Sequence, residues 1–180
     1  KIDDPYRWLE DVKSPEAAAW MKAQADDAGR TLRNIQGRDP ILAQLTRLDA
    51  SVSERVFNVV RTPGGPWFHA QRGAADNQYK LVKRGGPSAP AQVLVDPNRE
   101  ATAQAINFFR PSASGRLVAY GVSKGGSEAA SLHVLDSRSG KALIEPLDRA
   151  DFGVSDWLDE RTLYFTRLQA MTSEMPPTAK

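Results

Sequence analysis

The feature that most constrains the fold of this chain is a set of short β-type runs that recurs after residue 50. Each run holds three to five mostly apolar residues and ends near Gly, Pro, Asn or Asp. The pair Trp67-Phe68 is matched by Leu117-Val118 after 50 residues and by Leu163-Tyr164 after 46 more. Four short strands recurring at about 40–50 residues are typical of β-propeller blades.

These runs predict ten strands, in two full sets of four and the start of a third. They cover residues 56–60, 67–70, 79–82 and 92–95, then 106–109, 116–120, 131–135 and 142–144, then 152–154 and 163–165. A blade is a small antiparallel sheet that cannot bury both faces alone, and a ring of blades solves this problem. Because two blades and part of a third do not close a ring, we expect either a piece of a longer chain or an assembly of copies. A single antiparallel sandwich is the alternative, but it would need neither the repeat nor a helical prefix.

Residues 1–50 have a different pattern and predict two helices. Ser14, Pro15 and Glu16 combine an N-cap, a first-turn proline and an acid at the positive end of the helix dipole. The first helix is predicted from Pro15 to Asn34 and the second from Pro40 to Asp49. The fold class is therefore mainly β, with an N-terminal α-helical arm (residues 1–50) and a partial β-propeller of four-stranded antiparallel blades (residues 51–180).

Composition removes several classes of function. The 180 residues include no cysteine and only two histidines, so disulfides, cysteine zinc sites and a thiol nucleophile are excluded, and a multi-histidine metal site is not expected. Lys and Arg total 24 against 22 Asp and Glu, with no run of five like charges, so we expect no nucleic-acid partner. No apolar run approaches the ~18 residues of a membrane helix, so no membrane partner is expected. The chain starts at Lys1 without a signal-peptide pattern, which suggests a processed or trimmed start and leaves cytoplasm and periplasm both open.

The segment from Asp4 to Asp11, with the sequence DPYRWLED, is unusually rich in large anchors. Tyr6, Trp8 and Leu9 are bulky and apolar, which predicts a segment that docks onto another surface. The alternative is that these side chains form a hydrophobic staple by packing onto the chain's own first helix. The octet resembles the N-terminal signature of the prolyl oligopeptidase family of serine peptidases.

The resemblance continues in order along nearly the whole chain. The further matching positions are Trp20, Leu94–Asn98, Ser112–Tyr120, Gly125–Glu128 and Phe152–Trp157. Two positions depart from the family pattern. Ala113 or Ser114 stands where the family turn has Asp, and Glu128 replaces the Asp of a blade loop. These departures bear on the subfamily and not on the family.

The resemblance implies a particular domain arrangement. In the family, N-terminal helices wrap an α/β-hydrolase domain, a seven-bladed propeller caps the active site, and the catalytic domain follows at the C-terminal end. Residues 1–50 would then be the arm that packs on the hydrolase domain, and residues 51–180 the first two blades and the start of the third. The hydrolase domain itself is absent from these 180 residues, and the catalytic triad would lie beyond Lys180.

The resemblance also implies the activity of the parent chain. It predicts a serine-type endopeptidase or oligopeptidase that hydrolyses short peptides after proline through a Ser-His-Asp acyl-enzyme mechanism. The propeller would act as a size-selecting cap. Two alternatives stay open: a related oligopeptidase that cleaves after basic residues, and a β-propeller scaffold that binds a peptide without catalysis.

No catalytic residue is predicted within the chain. The segment around Ser127 comes nearest to the Gly-x-Ser-x-Gly elbow, but it lacks the final glycine and lies between two strand-like runs. His69 and His133 both fall inside predicted strands and are interpreted as strand-face residues. No nucleotide, calcium or zinc motif is present, so neither a cofactor nor a metal is expected. The isolated chain is predicted to be inactive.

One substrate-binding residue is implied by the resemblance. Phe152 matches the position of a propeller aromatic that lines the family's substrate pocket, where a phenyl ring would contact a peptide residue near the scissile bond. A core residue of the blade is the alternative. The implied partners are a short peptide and the chain's own hydrolase domain. Open blade edges also predict self-association of the isolated chain, and residues 171–177 are predicted to form a loop.

Overall fold

A computed structural model describes residues 3–125 and 127–170, which leaves the predicted loop at 171–177 outside the described residues. The chain divides into two units, residues 1–51 and residues 52–180. The first unit is helical, and the second consists of antiparallel strands. The predicted class, mainly β with an N-terminal helical arm, is confirmed.

The helical unit begins with a 3₁₀ turn at Arg7–Glu10, followed by α1 (Pro15–Arg33) and α2 (Arg38–Ser51). The Ser14 hydroxyl caps α1 by accepting the Ala17 N–H at 3.1 Å. Helix α2 starts two residues before the predicted Pro40, because first-turn N–H groups have no partner within a helix and a proline there costs no hydrogen bond. Neither these helices nor any other described helix is long and apolar enough to cross a membrane.

The anchor-rich octet contacts its own helix. The indole of Trp8 lies edge-on to that of Trp20 in α1, with ring centroids 6.1 Å apart and an interplanar angle of 88°. Tyr6 is 69% exposed. Trp8 therefore forms the hydrophobic staple that was one of the two expectations, and Tyr6 is left as an uncovered apolar ring.

The second unit contains three antiparallel sheets of sequential strands. The first has β1 (Glu54–Arg61), β2 (Trp67–Gly73), β3 (Lys80–Arg84) and β4 (Gln92–Val95); the second has β5 (Gln104–Pro111), β6 (Leu117–Lys124) and β7 (Ser131–Asp136); the third has β8 (Val154–Trp157) and β9 (Leu163–Phe165). Each strand pairs with its neighbour in the chain. Nine of the ten predicted strands are present among the described residues.

The prediction of a strand at 142–144 is wrong. Residues 142–147 meet β7 only through isolated bridges, at Ala142 and again at Leu147. Between them Pro146 has no N–H to donate to a ladder, which interrupts the pairing. The second sheet therefore has three strands and a broken fourth segment. The strand predicted at 152–154 also starts later, at Val154, because Gly153 has φ +81°.

Both faces of the second sheet are covered by neighbouring sheets. Successive side chains of a strand point to opposite faces, and two consecutive residues of β6 therefore lie in different clusters. Val118 joins Phe68 and Leu81 of the first sheet in one buried cluster. Ala119 joins Leu132 in another cluster, against which side chains of the third sheet pack: Trp157, Leu163 and Phe165.

The tight turns at one end of the three sheets are hydrogen-bonded to each other. The Gly64 N–H, between β1 and β2, donates to the carbonyl of Ala113, between β5 and β6, at 2.9 Å. The Glu160 carboxylate, between β8 and β9, accepts the Ser112 hydroxyl at 2.9 Å and the Ser114 N–H at 3.0 Å. Each turn thereby fixes the position of the next sheet.

Replacing Gly115 with alanine should destabilise the protein more than replacing Gly140. Both glycines have positive φ, +70° and +71°, but a Cβ at residue 115 would lie 2.5 Å from Cγ of Pro66, whereas residue 140 has open space around it. Gly140→Ala carries only the backbone cost of about 1–2 kcal/mol, and Gly115→Ala adds an overpacking cost of about 1–3 kcal/mol. Thermal unfolding of the two variants measures the difference. Equal melting temperatures would contradict the packing of these turns.

Candidate functional site

The most exposed large apolar side chain on the turns between sheets is Phe152, which is 75% exposed. It lies in a tight turn that leads into β8, closed by the Gly153 N–H donating to the Ala150 carbonyl at 3.1 Å. Its neighbour Ala150 is fully buried. Within the described residues, Phe152 belongs to neither buried cluster. An exposed ring on a turn whose backbone is fixed offers apolar contact area to a ligand.

The turn that carries Phe152 is fixed on both sides. Ala150 donates its N–H to the Ala130 carbonyl at 2.9 Å, and the Asp151 carboxylate accepts the Ala130 N–H at 2.9 Å. On the other side, Gly153 lies against the ring of Phe108, and a Cβ at this position would be 3.3 Å from Cγ of that ring. The backbone around Phe152 is therefore set by contacts in which the phenyl ring takes no part.

The connection that precedes this turn is clamped by a charged cluster. The Asp148 carboxylate accepts a hydrogen bond from Nε of Arg149 at 3.2 Å and forms an ion pair with the Arg167 guanidinium. Arg167 also donates from Nε to the Asp148 carbonyl at 3.2 Å, and the Leu168 N–H donates to the Arg149 carbonyl at 2.8 Å. The hydrogen bonds from Arg167 and Arg149 lower the pKa of Asp148 below its ordinary value.

Ser127 lies in the exposed loop between the antiparallel strands β6 and β7, so no helix follows it as a hydrolase elbow requires. Ser127 and His133 line one cavity of about 440 Å³. No hydrogen bond joins the two side chains in the part of the chain that the structure describes. The pair does not form a nucleophile and base.

His133 and His69 both lie on strands. The His133 imidazole stacks on Tyr120 across β6 and β7, with centroids 5.1 Å apart at 21°. Burial lowers the pKa of His133 and raises the pKa of Tyr120. His69 is 4% exposed, and its Nε2 lies 3.1 Å from the Gln71 side-chain oxygen. Both histidines therefore contact side chains of the strands, as the interpretation as strand-face residues predicts.

The other motif residues hold the sheets together. The Asn98 side chain accepts the N–H groups of Asn77 and Gln78 at 3.0 and 2.8 Å, which ties the end of β4 to the loop before β3. Nε1 of Trp157 donates to the Arg110 carbonyl at 2.9 Å, which ties β8 to β5. These side chains therefore link strands within and between the sheets.

Sequence reasoning missed the residues that hold Phe152 in place. Asp148 and Phe108 gave no local signal, since their partners lie 19 and 45 residues away at Arg167 and Gly153. The step Asp151-Phe152-Gly153 did contain a turn signal, because an aspartate and a glycine flank the ring. Among residues 3–125 and 127–170, no group of three or more His, Asp or Glu side chains could hold a metal ion.

Consecutive small antiparallel sheets that pack face to face are typical of a β-propeller. The sequence model of the prolyl oligopeptidase N-terminal β-propeller domain matches residues 1–177. The chain belongs to this family, and its three sheets belong to the propeller.

Curated relatives agree with this assignment. The chain is 26% identical over 168 residues to the prolyl endopeptidase of Elizabethkingia meningoseptica, covering 92% of this chain and 23% of that protein. It is 29% identical over 175 residues to an uncharacterised peptidase of Sinorhizobium fredii, covering 91% of this chain and 22% of the relative. The chain thus spans less than a quarter of the length of these relatives.

Solved structures agree as well. A structure from a study of two prolyl endopeptidases matches with a TM-score of 0.72 and 30% identity, covering 83% of this chain and 22% of that one. Prolyl oligopeptidase B from Galerina marginata, bound to a 35-residue hydrolysis and macrocyclisation substrate, matches with a TM-score of 0.69 and 20% identity, over 97% of this chain and 27% of that one. The second match supports the fold alone.

Replacing Asp148 with asparagine should destabilise the protein near neutral pH. In acid the variant and the wild type should be about equally stable. The folded-state pKa of Asp148 lies below its ordinary value of 3.8, so its stabilising effect is present above about pH 4 and is lost as pH falls through the lower folded value. Melting temperatures of wild type and Asp148→Asn should differ near pH 6 and converge near about pH 2.

The control for this experiment is Asp156→Asn. The Asp156 carboxylate accepts the N–H of Trp157 at 2.8 Å and forms no ion pair among the described residues. This variant is expected to follow the wild-type pH profile. A gap for Asp148→Asn that stayed constant from pH 6 to the acid limit would show that the clamp does not depend on charge.

Proposed function

We propose that this chain is the N-terminal part of a serine-type peptidase that hydrolyses short peptides after proline. Membership of the prolyl oligopeptidase family supports this proposal, as do relatives that are named prolyl endopeptidase. The observation that carries it is the geometry of Phe152, an exposed phenyl ring on a backbone turn that other residues fix. Such a ring can contact the apolar face of a substrate residue beside the scissile bond.

In this proposal the chemistry belongs to the hydrolase domain of the parent protein. A serine attacks the scissile carbonyl, a histidine takes and returns the proton, and an aspartate orients the histidine. The described residues take none of these roles in the proposal. They contribute substrate contact through Phe152 and restrict access to the active site.

The helical unit offers a surface for that second domain. Apolar side chains on α2 follow the spacing of one helix face and are exposed among the described residues: Ile41, Leu42, Leu45 and Leu48. We propose that residues 1–50 pack this stripe on the hydrolase domain, and that residues 51–180 are two blades and the start of a third. The closed propeller then acts as a cap that admits short peptides and excludes folded proteins.

The assay that tests the proposal uses the full-length protein and matched fluorogenic peptides. Cleavage after proline, blocked by a serine-directed phosphonate, would support it. Preferential cleavage after lysine or arginine would instead assign the related oligopeptidase activity. Binding of peptides with no turnover of either substrate would assign a scaffold and overturn the proposal.

In the full-length protein, Phe152→Ala should lower kcat/KM for a proline-containing peptide by about 10-fold or more. The loss of a buried aromatic contact removes roughly 1.5–3 kcal/mol of binding. Phe152→Tyr keeps the ring and should retain most of the activity. Because Phe152 is 75% exposed in the described chain, we expect the melting temperature to change little. A large fall in melting temperature with unchanged kcat/KM would identify a core residue instead.

The isolated 180-residue chain should not hydrolyse the same peptides, because Ser127, the serine nearest to the elbow pattern, has no hydrogen-bonded base among the described residues. It should also self-associate, since Val56, Phe57 and Val59 of the sheet-edge strand β1 are exposed. Light scattering and a peptide assay check both points. Turnover that disappears in Ser127→Ala, or a compact monomer with a cooperative melt, would contradict the respective expectation.

A further inference from the structure

A cavity of about 550 Å³ lies among the turns at the end of the sheets opposite Phe152. Phe152 precedes β8 and Glu160 follows it, so the two residues lie at opposite ends of this strand. The cavity is lined by three cationic side chains, Lys83, Arg116 and Arg138, and by one carboxylate, Glu160. It is separate from the Phe152 turn.

The two nearby carboxylates already have partners. Glu160 accepts the Ser112 hydroxyl and the Ser114 N–H. Asp136 pairs with Nε of Arg116 at 3.2 Å. Neither carboxylate forms an ion pair with the other two cations. Two positive charges of the cavity, those of Lys83 and Arg138, are therefore left without a direct counter-charge among the described residues.

The ammonium group of Lys83 is held in place by neutral groups. It donates to the Ser137 hydroxyl at 2.8 Å and to the Ser137 carbonyl at 3.3 Å. The same hydroxyl is fully buried and donates to the Gly115 carbonyl at 2.6 Å, so its oxygen is oriented as an acceptor for Lys83. An ammonium has three protons, and these two contacts leave one for a ligand.

The positive charge of Lys83 is costly in this setting. Burial is the main cause that lowers the pKa of Lys83, and the nearby Arg138 lowers it further, while Asp136 partly opposes them. The Arg138 guanidinium makes no hydrogen bond or ion pair in the part of the chain that the structure describes. The attraction of an anion between these two groups would offset both the cost of burial and the repulsion.

We propose that this cavity is a binding site for a compact multivalent oxyanion, held between Lys83 of the first sheet and Arg116 and Arg138 of the second. The planar guanidinium of Arg138 suits two oxygens of a phosphate or carboxylate group, and the Lys83 ammonium supplies a point charge on the other side. Because the ligand joins residues from two sheets, its binding stabilises the contact between them.

The test is calorimetric titration of the full-length protein with inorganic phosphate, pyrophosphate and citrate, each at constant ionic strength in chloride. Constant ionic strength separates a specific site from general screening. We expect saturable binding of at least one of the three anions and a rise in melting temperature with its concentration. The anion that binds best distinguishes a phosphate ligand from a polycarboxylate.

The variant for this test is Arg138→Gln, which should weaken binding by about 10-fold or more, the size expected for one charge-assisted hydrogen bond. The matched control is Lys141→Gln, which removes one positive charge from the same loop outside the cavity lining. The control should bind within about twofold of wild type. Peptide turnover in Arg138→Gln should be unchanged, so this result is independent of the proposed activity.

Two results would overturn the proposal. One is the absence of saturable binding for all three anions. The other is an equal loss of affinity in Arg138→Gln and Lys141→Gln, which would show attraction to net charge and no defined site. Lys83→Met serves as a second variant, because it removes the ammonium and keeps most of the apolar stem. If it folds and binds the anion as wild type does, the site does not lie at Lys83.

Discussion

The apolar contact between the first and second sheets is the interaction on which the rest of the structure depends. Phe68 and Leu81 from one sheet and Val118 from the other are completely buried in it. Full burial of one such side chain contributes roughly 1.5–3 kcal/mol, whereas an ion pair between solvent-exposed side chains contributes about 0–1 kcal/mol. The alignment of the sheets is therefore set by packing, and the surface charges adapt to it.

Once the sheets are aligned in this way, polar groups at their two ends acquire different roles. At one end the turns bond to each other through Gly64, Ser112 and Glu160, and the space beside them collects Lys83 and Arg138. At the other end the connection between sheets is fixed by backbone hydrogen bonds and by the Asp148 and Asp151 carboxylates, while the ring of Phe152 is 75% exposed. The proposed substrate contact and the proposed anion site thus lie at opposite ends of one framework, where a change at one need not disturb the other.

The sequence predicted the framework better than the sites. Nine strands followed from alternation and turn residues, and α1 followed from the cap at Ser14, because these signals are local. The strand at 142–144 failed, since an apolar run does not show that Pro146 interrupts its pairing with β7. Phe152 was found only by resemblance, and the run of residues around it placed it in a strand, while the structure holds it in a turn.

The sequence by itself determined the type and order of most strands and helices, the absence of cysteine chemistry, and the family. These properties depend on residue types and on patterns among residues that are close together in the chain. Only the tertiary structure decided that Phe152 is exposed, that Asp148 meets Arg167, and that Lys83 and Arg138 line one cavity. Each of these features depends on atoms that folding brings together from distant positions in the chain. The burial and the charge environment of these side chains therefore leave no local sequence pattern that would predict them.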